Sequence, residues 1–200
     1  MRSRAATSSA RPEAGRGPGR RSRPTPAEVA AAAGKGIRDV VAPRLRVLFV
    51  GINPGLYTAA TGHHFARPGN RFWPTLHAAG FTDRLLHPSE QRLLLEKGYG
   101  ITNLVNRATA AADELAPEEF VAGRIRLAAK VRQLRPQVVA FLGMGAYCHA
   151  FGLPRATVGE QGSRFEGARV WVLPNTSGLN ANYQLAALVR LFKELKRATD

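Results

Sequence analysis

Three strongly apolar stretches, separated by stretches with helical spacing, most constrain how this chain can fold. The apolar stretches, at 44–51, 137–143 and 170–173, have the length of buried strands. Amphipathic helical patterns lie between and after them, at 71–80, 88–98, 116–136 and 183–197. Strands that alternate with helices form βαβ units, whose parallel sheet is covered by helices on both faces. The sequence therefore predicts an α/β fold, a three-layer α/β/α sandwich with a central, mainly parallel sheet.

The composition indicates one folded domain preceded by a basic arm. Two hundred residues with 44% apolar content are enough for one hydrophobic core. Residues 1–38 contain no aromatic side chain and mix Pro, Gly, Ser and Arg without hydrophobic periodicity. This pattern predicts a disordered N-terminal arm over residues 1–38 and a folded domain over residues 39–200.

Cysteine content and hydropathy exclude several classes of protein. Cys148 is the only cysteine, so the chain can form neither an internal disulfide nor a metal site or iron–sulfur cluster that needs several thiolates. No stretch approaches the run of about 20 apolar residues that a membrane span requires. We therefore expect a cytoplasmic protein.

The charge of the chain favours a polyanionic partner. The formal net charge is +15, with nine Lys and Arg against two acids in residues 1–38 and twenty against twelve in the remainder. A basic surplus on the folded part as well as the arm suits nucleic acid, because each neutralised phosphate releases counterions. A coding bias towards Arg would produce the same surplus, so charge alone leaves both explanations open.

The loop after the first apolar stretch reads GINPG and places an amide at a fixed point. Pro54 fixes a backbone angle directly after Asn53, while Gly51 and Gly55 let the main chain approach another molecule closely. The Asn53 carboxamide could orient a water molecule but has no useful basicity. The alternative is that Asn53 only caps its own turn.

The loop after the third apolar stretch contains small polar groups around one leucine. Asn175, Ser177, Gly178 and Asn180 are suited to phosphate oxygens. Leu179 could enter a base stack, as apolar side chains do in proteins that distort duplexes. The alternative is that Leu179 packs inward at the start of the next helix, with Ser177 as its cap.

Neither a cofactor nor a metal is expected. The GMGAY loop at 143–147 lacks the third glycine of a dinucleotide fingerprint, so it is interpreted as strand-to-helix packing. His63, His64 and His77 have no Cys, Asp or Glu near them at ligand spacing. Phe65, which follows the histidine pair, could instead stack on a base.

Four stretches taken in order, GINPGL, GHHFARPGNRFW, AGFTDRLL and WVLPNTSGLN, resemble the mismatch-specific uracil-DNA glycosylases, bacterial relatives of thymine-DNA glycosylase. The resemblance runs from about residue 41 to residue 195 and leaves out the arm. It implies that residues 39–200 are a monomeric catalytic domain that acts on double-stranded DNA without a cofactor. Such an enzyme flips uracil out of a G·U mismatch, hydrolyses the N-glycosidic bond and leaves an abasic site. Ethenocytosine and, less efficiently, thymine opposite guanine are implied as further substrates.

The resemblance also implies roles for the residues of the first loop. Asn53 corresponds to the asparagine that positions the water. Ile52 and Phe65 correspond to residues whose backbone amides read the flipped pyrimidine, and the Phe65 ring to its stacking partner. Thr58 lies where the family has a small hydroxyl residue beside the base.

The third loop corresponds to the part of the family that contacts the substrate and the DNA strands. Asn175 begins this motif and is expected to contact substrate, while Ser177 and Asn180 are expected to contact DNA. Gly178 with Leu179 resembles the wedge that fills the vacated stack and touches the widowed guanine.

Two departures from the family, at Thr176 and Ala181, leave the strength of the G·U preference open, and a third, at Asn103, has no assigned effect. Thr176 replaces the usual proline, Ala181 stands where an arginine that helps hold the opposite strand is often found, and Asn103 replaces a lysine of some relatives. Branches of the superfamily with an iron–sulfur cluster need four cysteines and are excluded, because this chain has only Cys148. The fast branch, which is indifferent to mismatches, has an Asp where this chain has Asn53. A non-catalytic protein that binds mismatched DNA is the alternative from a different class.

Overall fold

Five strands and six α-helices make up the fold in the computed structural model, which describes residues 23–200. The strands are β1 (Val47–Gly51), β2 (Tyr99–Asn103), β3 (Val138–Leu142), β4 (Gly159–Phe165) and β5 (Ala168–Leu173). The helices are α1 (Pro26–Ala30), α2 (Leu56–Thr61), α3 (Phe72–Ala78), α4 (Pro117–Leu134), α5 (Met144–Phe151) and α6 (Leu185–Thr199). Two 3₁₀ helices lie at Pro88–Lys97 and Ala112–Glu114.

The strands form one sheet in the order β2-β1-β3-β5-β4. The first four of these are mutually parallel, and β4 pairs antiparallel with β5 at the edge. Helices cover both faces, so the predicted α/β/α sandwich with a mainly parallel sheet is confirmed. Because the sheet is parallel, β1, β2, β3 and β5 all end at the same edge.

Alternate residues of β1 supply the two cores of the sandwich. Val47 and Phe49 face the core that α3 and α6 cover, whereas Leu48 and Val50 face the core that α4 and α5 cover. All four side chains are at most 1% exposed. No helix within residues 23–200 is both long and apolar enough to cross a bilayer.

The sequence patterns missed β2 and β4 for different reasons. In β2, Gly100 interrupts the apolar run of the sequence. Glycine is needed there because a Cβ would lie only 2.5 Å from the Leu45 side chain. In β4 the residues are mostly polar because this edge strand is exposed. The helix predicted at 88–98 is a 3₁₀ helix, and it ends as expected at Gly98, whose φ is 77°.

The prediction of a disordered arm over residues 1–38 is wrong for its last part. Residues 1–22 lie outside the described residues. Thr25 and Glu28 cap α1 reciprocally, and Ala32 and Ile37 are buried against the domain. Between residues 23 and 38 only Ala32 and Ile37 are buried, which is too few for a hydrophobic period in the sequence.

His64 is a buried imidazole that fastens the segment before α3. It is 1% exposed, and its Nε2 lies 3.1 Å from the backbone oxygen of Arg38. Desolvation by burial lowers the pKa of His64 to about 4, although the Arg38 carbonyl opposes this shift. The neutral form therefore belongs to the folded state, with Nε2–H as the donor to Arg38.

Stability should fall on acidification because of this histidine. An unfolded His64 binds a proton below pH 6.5, and the folded one only below about pH 4. Its contribution to the free energy of unfolding is therefore complete above pH 6.5 and is lost as the pH falls towards 4. Between pH 7 and pH 5 we expect a loss of about 2 kcal/mol in the free energy of unfolding. Urea unfolding at both pH values measures it. His64→Gln should lack this part of the loss, and an unchanged pH dependence in that variant would contradict the account.

Candidate functional site

Three chain segments meet at the edge where the parallel strands end. They follow β1, β2 and β5. The first two stay paired beyond their strands, because Leu104 donates its N–H to the Gly51 oxygen at 2.8 Å and Val105 donates to the Ile52 oxygen at 2.9 Å. In open α/β sheets ligands bind outside the carboxyl ends of the strands. The site residues predicted from the sequence all lie in the segments after β1 and β5.

The Asn53 side chain is held by the segment after β2. Its Nδ2 donates to the backbone oxygen of Arg107 at 2.9 Å and to Oγ1 of Thr109 at 2.7 Å. Thr109 in turn donates its hydroxyl proton to the Ala111 oxygen at 2.7 Å. Because a carbonyl can only accept, the Asn53 amide nitrogen must face Arg107, and the orientation of the amide is fixed.

This orientation leaves Oδ1 as the open atom of Asn53. Within residues 23–200 no group donates a hydrogen bond to Oδ1, and the residue is partly exposed. The amide oxygen can accept a hydrogen bond from water without deprotonating it. The turn-cap alternative does not hold, since both donors reach residues more than 50 positions further along the chain.

Two backbone donors lie in the same segment. In the described part of the chain, the N–H groups of Ile52 and Phe65 donate no hydrogen bond. Phe65 has a φ of 55°, in the left-handed region that bulky residues rarely adopt. Its neighbour His64 is held by Gln91, which accepts its N–H at 2.8 Å, and by Trp73, whose indole donates to its oxygen at 3.0 Å. These contacts stabilise the strained backbone and keep the Phe65 donor available.

Gly51, Phe65 and Asn103 converge, and we call them the Gly51 cluster. A Cβ on Gly51 would lie 2.6 Å from Oδ1 of Asn103 and 3.3 Å from Cζ of Phe65, so only glycine permits this approach. Phe72 covers one face of the Phe65 ring, with centroids 4.0 Å apart and planes at 25°. A planar ligand could stack on the other face.

Asn103 is the polar member of the Gly51 cluster and has an unused donor. The residue is 8% exposed, and its Nδ2 has no hydrogen-bond partner among residues 23–200. A buried amide donor without a partner costs about 1–3 kcal/mol. A ligand oxygen placed beside Nδ2 would offset that cost.

Among residues 23–200, Thr58 shares no hydrogen bond with Asn53 or with the Gly51 cluster. It is 6% exposed on α2, and its backbone oxygen accepts from Gly62 at 2.9 Å and from the Thr61 hydroxyl at 3.0 Å. Its proximity to a bound base stays a prediction.

The segment after β5 is shaped by its own asparagines. Oδ1 of Asn175 accepts the N–H of Ser177 at 2.9 Å, and Nδ2 of Asn180 donates to the Asn175 oxygen at 2.8 Å. Thr176 is fully buried, and its hydroxyl lies 3.2 Å from Oδ1 of Asn70, just before α3. Asn175, Ser177 and Asn180, which were identified from the sequence, therefore hold the loop in place.

Leu179 lies at the tip of this loop and is 74% exposed. The alternative in which Leu179 packs inward at a helix start is therefore wrong, and α6 begins six residues later at Leu185. Gly178 rests directly on the chain before α3, since a Cβ there would lie 2.5 Å from the Gly69 oxygen. A cavity of about 250 Å³ lies between residues 67–71 and residues 177–179.

The side-chain hydrogen bonds of Asn53 go to a carbonyl and a hydroxyl, not to an ionisable side chain. Among residues 23–200 no three His, Cys, Asp or Glu side chains come together closely enough to hold a metal ion. The groups that surround Asn53 and Gly51 are amides, a hydroxyl, carbonyls and an aromatic ring. Such a site can place water and stabilise an anion through N–H donors, and no carboxylate or imidazole within residues 23–200 forms a hydrogen bond with Asn53 or Asn103.

Four contributing residues were missed or not assigned a role by sequence reasoning. Arg107 and Thr109 fix Asn53, and Asn103 joins the Gly51 cluster. Arg71 contacts the segment between β5 and α6, residues 174–184, which we call the Leu179 loop. A polar residue at the end of a strand is the signal that could have found Asn103, but β2 itself was not recognised. Arg71 was interpreted only as part of a helix start.

Comparison with known proteins gives two findings. The family model described as Uracil DNA glycosylase superfamily matches residues 38–196. The solution NMR structure of a candidate uracil DNA glycosylase from Methanosarcina acetivorans superposes with a TM-score of 0.51 at 18% sequence identity. This match covers 82% of the present chain and 98% of the other, and at this identity it supports the fold alone.

Proposed function

The chain belongs to the uracil DNA glycosylase superfamily, and on this premise we propose that it removes uracil from mismatches with guanine in double-stranded DNA. The observation that carries the proposal is the Asn53 carboxamide, whose nitrogen is held by Arg107 and Thr109 while its oxygen stays open. Ethenocytosine and thymine opposite guanine are proposed as further substrates. The product is an abasic site in an intact strand.

The proposed reaction does not require a strong general base. As the bond between C1′ and N1 breaks, its electron pair leaves with uracil as a delocalised anion, and the sugar becomes an oxocarbenium-like cation. Water then adds to C1′ and releases its proton to solvent. Because most of the bond breaks before water attacks, an amide that only places the water can suffice.

Donors in the site would stabilise the departing base. The free N–H groups of Ile52 and Phe65 are available to pyrimidine oxygens as their negative charge develops. The Nδ2 of Asn103, which is buried without a partner among the described residues, can serve in the same way. The face of the Phe65 ring that is turned away from Phe72 would stack on the base.

The Leu179 loop would assist extrusion of the nucleotide. Moving a base out of the duplex costs a few kcal/mol, and least where it is mismatched, so a mispair is favoured before any contact with the base is made. The exposed Leu179 can fill the vacated stack. We expect slow turnover, because the same contacts hold the abasic product.

A panel of duplexes tests this proposal. Each contains one uracil opposite guanine or adenine, one thymine opposite guanine, or one ethenocytosine, and strand scission after alkali is followed in single-turnover reactions. We expect the fastest release from G·U. Equal rates for G·U and A·U would contradict the mismatch preference, and a shifted but uncut duplex would favour a non-catalytic mismatch binder.

Thr109 offers a prediction about the anchoring of Asn53. Thr109→Val keeps the shape of the side chain but removes the hydroxyl that accepts from Asn53, so uracil release from G·U should slow about tenfold. Thr109→Ser restores the hydroxyl and should remain within about twofold of wild type. Single-turnover rates measure both, and a Val variant as fast as wild type would remove Thr109 from the account.

A further inference from the structure

Arg71 precedes α3, and its guanidinium lies against the Leu179 loop. Its two terminal nitrogens donate to five acceptors of that loop at 3.0–3.3 Å. They are the backbone oxygens of Ser177, Gly178, Asn180 and Tyr183, and Oε1 of Gln184. Since those nitrogens have four hydrogens, at least one hydrogen is shared between two acceptors.

The backbone around Arg71 holds the same loop. Its N–H donates to the Thr176 oxygen at 2.9 Å. The neighbouring Asn70 contacts the Thr176 hydroxyl at 3.2 Å, and Gly178 packs on Gly69. The residues before α3 therefore form the surface on which the Leu179 loop rests.

The hydrogen bonds within the loop are short-range, whereas Arg71 reaches several of its residues at once. It contains no helix or strand before α6, and among the described residues the Asn180 N–H, which donates to Ser177 at 3.0 Å, makes the one backbone-to-backbone bond between two residues of the loop. Without the guanidinium, the backbone oxygens of Gly178, Asn180 and Tyr183 would lose their donor, and Ser177 would keep only the Asn180 N–H. No carboxylate of residues 23–200 pairs with Arg71, so those carbonyl dipoles are what face its charge.

We propose that Arg71 is the positioning residue that holds Leu179 ready to enter the DNA stack, and this rests on the proposed function. Arg71 acts through the loop and does not touch the reacting atoms. A loop ordered before binding loses less conformational entropy when DNA binds, so extrusion of the base becomes easier. The planar fork of arginine supplies donors in several directions, which a lysine ammonium cannot reproduce.

Uracil in a duplex and in a single strand tests the proposal through activity. Arg71→Met should slow single-turnover release from the G·U duplex at least tenfold, relative to release from the same uracil in a single strand, where no paired base must be extruded. Arg71→Lys keeps the charge and should still lose most of this ratio. Arg132→Lys is the control, because Arg132 pairs with Glu166 at 2.9 Å away from the loop, and it should match wild type. Equal losses on both substrates, or a Lys variant that matches wild type, would overturn the proposal.

Hydrogen–deuterium exchange tests the loop without any substrate. Peptides that cover residues 177–184 should exchange at least tenfold faster in Arg71→Met, while those of β1 and β3 keep the wild-type rate. Unchanged exchange over 177–184 would overturn the role of Arg71. If wild type released no uracil at all but exchange responded as expected, the proposed function would fail and the dependence of the loop on Arg71 would stand.

Discussion

Asn53→Ala should lower the rate of uracil release from a G·U duplex by about a thousandfold while leaving the fold intact. The side chain is partly exposed, and its removal deletes hydrogen bonds to Arg107 and Thr109 without opening the core. The water that Oδ1 would place then has no fixed position relative to C1′. Single-turnover rates measure the loss, and unfolding in urea checks that stability is retained. Full activity in this variant would show that Asn53 does not position the water.

Asn53→Asp is an informative second variant at this position. A carboxylate is a stronger base than an amide, yet it has no proton to donate to the Arg107 carbonyl, which lies 2.9 Å from Nδ2 in the native site. The surroundings of Asn53 are thus built for an amide. We expect the Asp variant to be slower than wild type, and a faster one would mean that the anchoring by Arg107 does not matter.

Gly51→Val should reduce uracil release by at least about a thousandfold, because its side chain would displace two groups proposed to hold the base. The Cβ alone would lie 2.6 Å from Oδ1 of Asn103 and 3.3 Å from Cζ of Phe65. Both groups must shift, so the stacking ring and the amide donor lose their common geometry. Binding of the G·U duplex should persist, since the Leu179 loop lies elsewhere.

Gly162→Val is the matched control for Gly51→Val. Gly162 lies in the exposed edge strand β4, where a Cβ would meet no atom within 4 Å. This variant should release uracil at the wild-type rate. If Gly51→Val were equally active, the Gly51 cluster could not be the place where the base is held.

The central strands and their helices could be predicted because burial on both faces leaves uninterrupted apolar runs. β1, β3 and β5 were found in this way. The sheet edges were not, because β2 contains Gly100 for a close approach to Leu45, and β4 is polar where it meets solvent. The ordered helix α1 was missed since an alanine-rich turn has almost no hydrophobic period.

Part of the candidate site could likewise be predicted from the sequence, and part could not. Asn53 and Phe65 stand out because glycine, proline and aromatic residues mark their loop, and the resemblance gave them roles. The partners of Asn53 could not be predicted, since Arg107 and Thr109 lie 54 and 56 residues away and are brought close only by the pairing of β1 with β2. The contacts of Arg71 likewise depend on the fold, which places the chain before α3 under a loop more than 100 residues later.

Release of free uracil is the measurement that tests the central claim most directly. A G·U duplex is incubated with wild type and with Asn53→Ala, free base is identified by mass spectrometry, and the strand is treated with alkali. We predict that wild type yields one uracil and one alkali-labile site per duplex, and that Asn53→Ala binds the duplex but yields almost none. Intact glycosidic bonds after incubation with wild type, or equal release by both proteins, would contradict a reaction that depends on the Asn53 carboxamide.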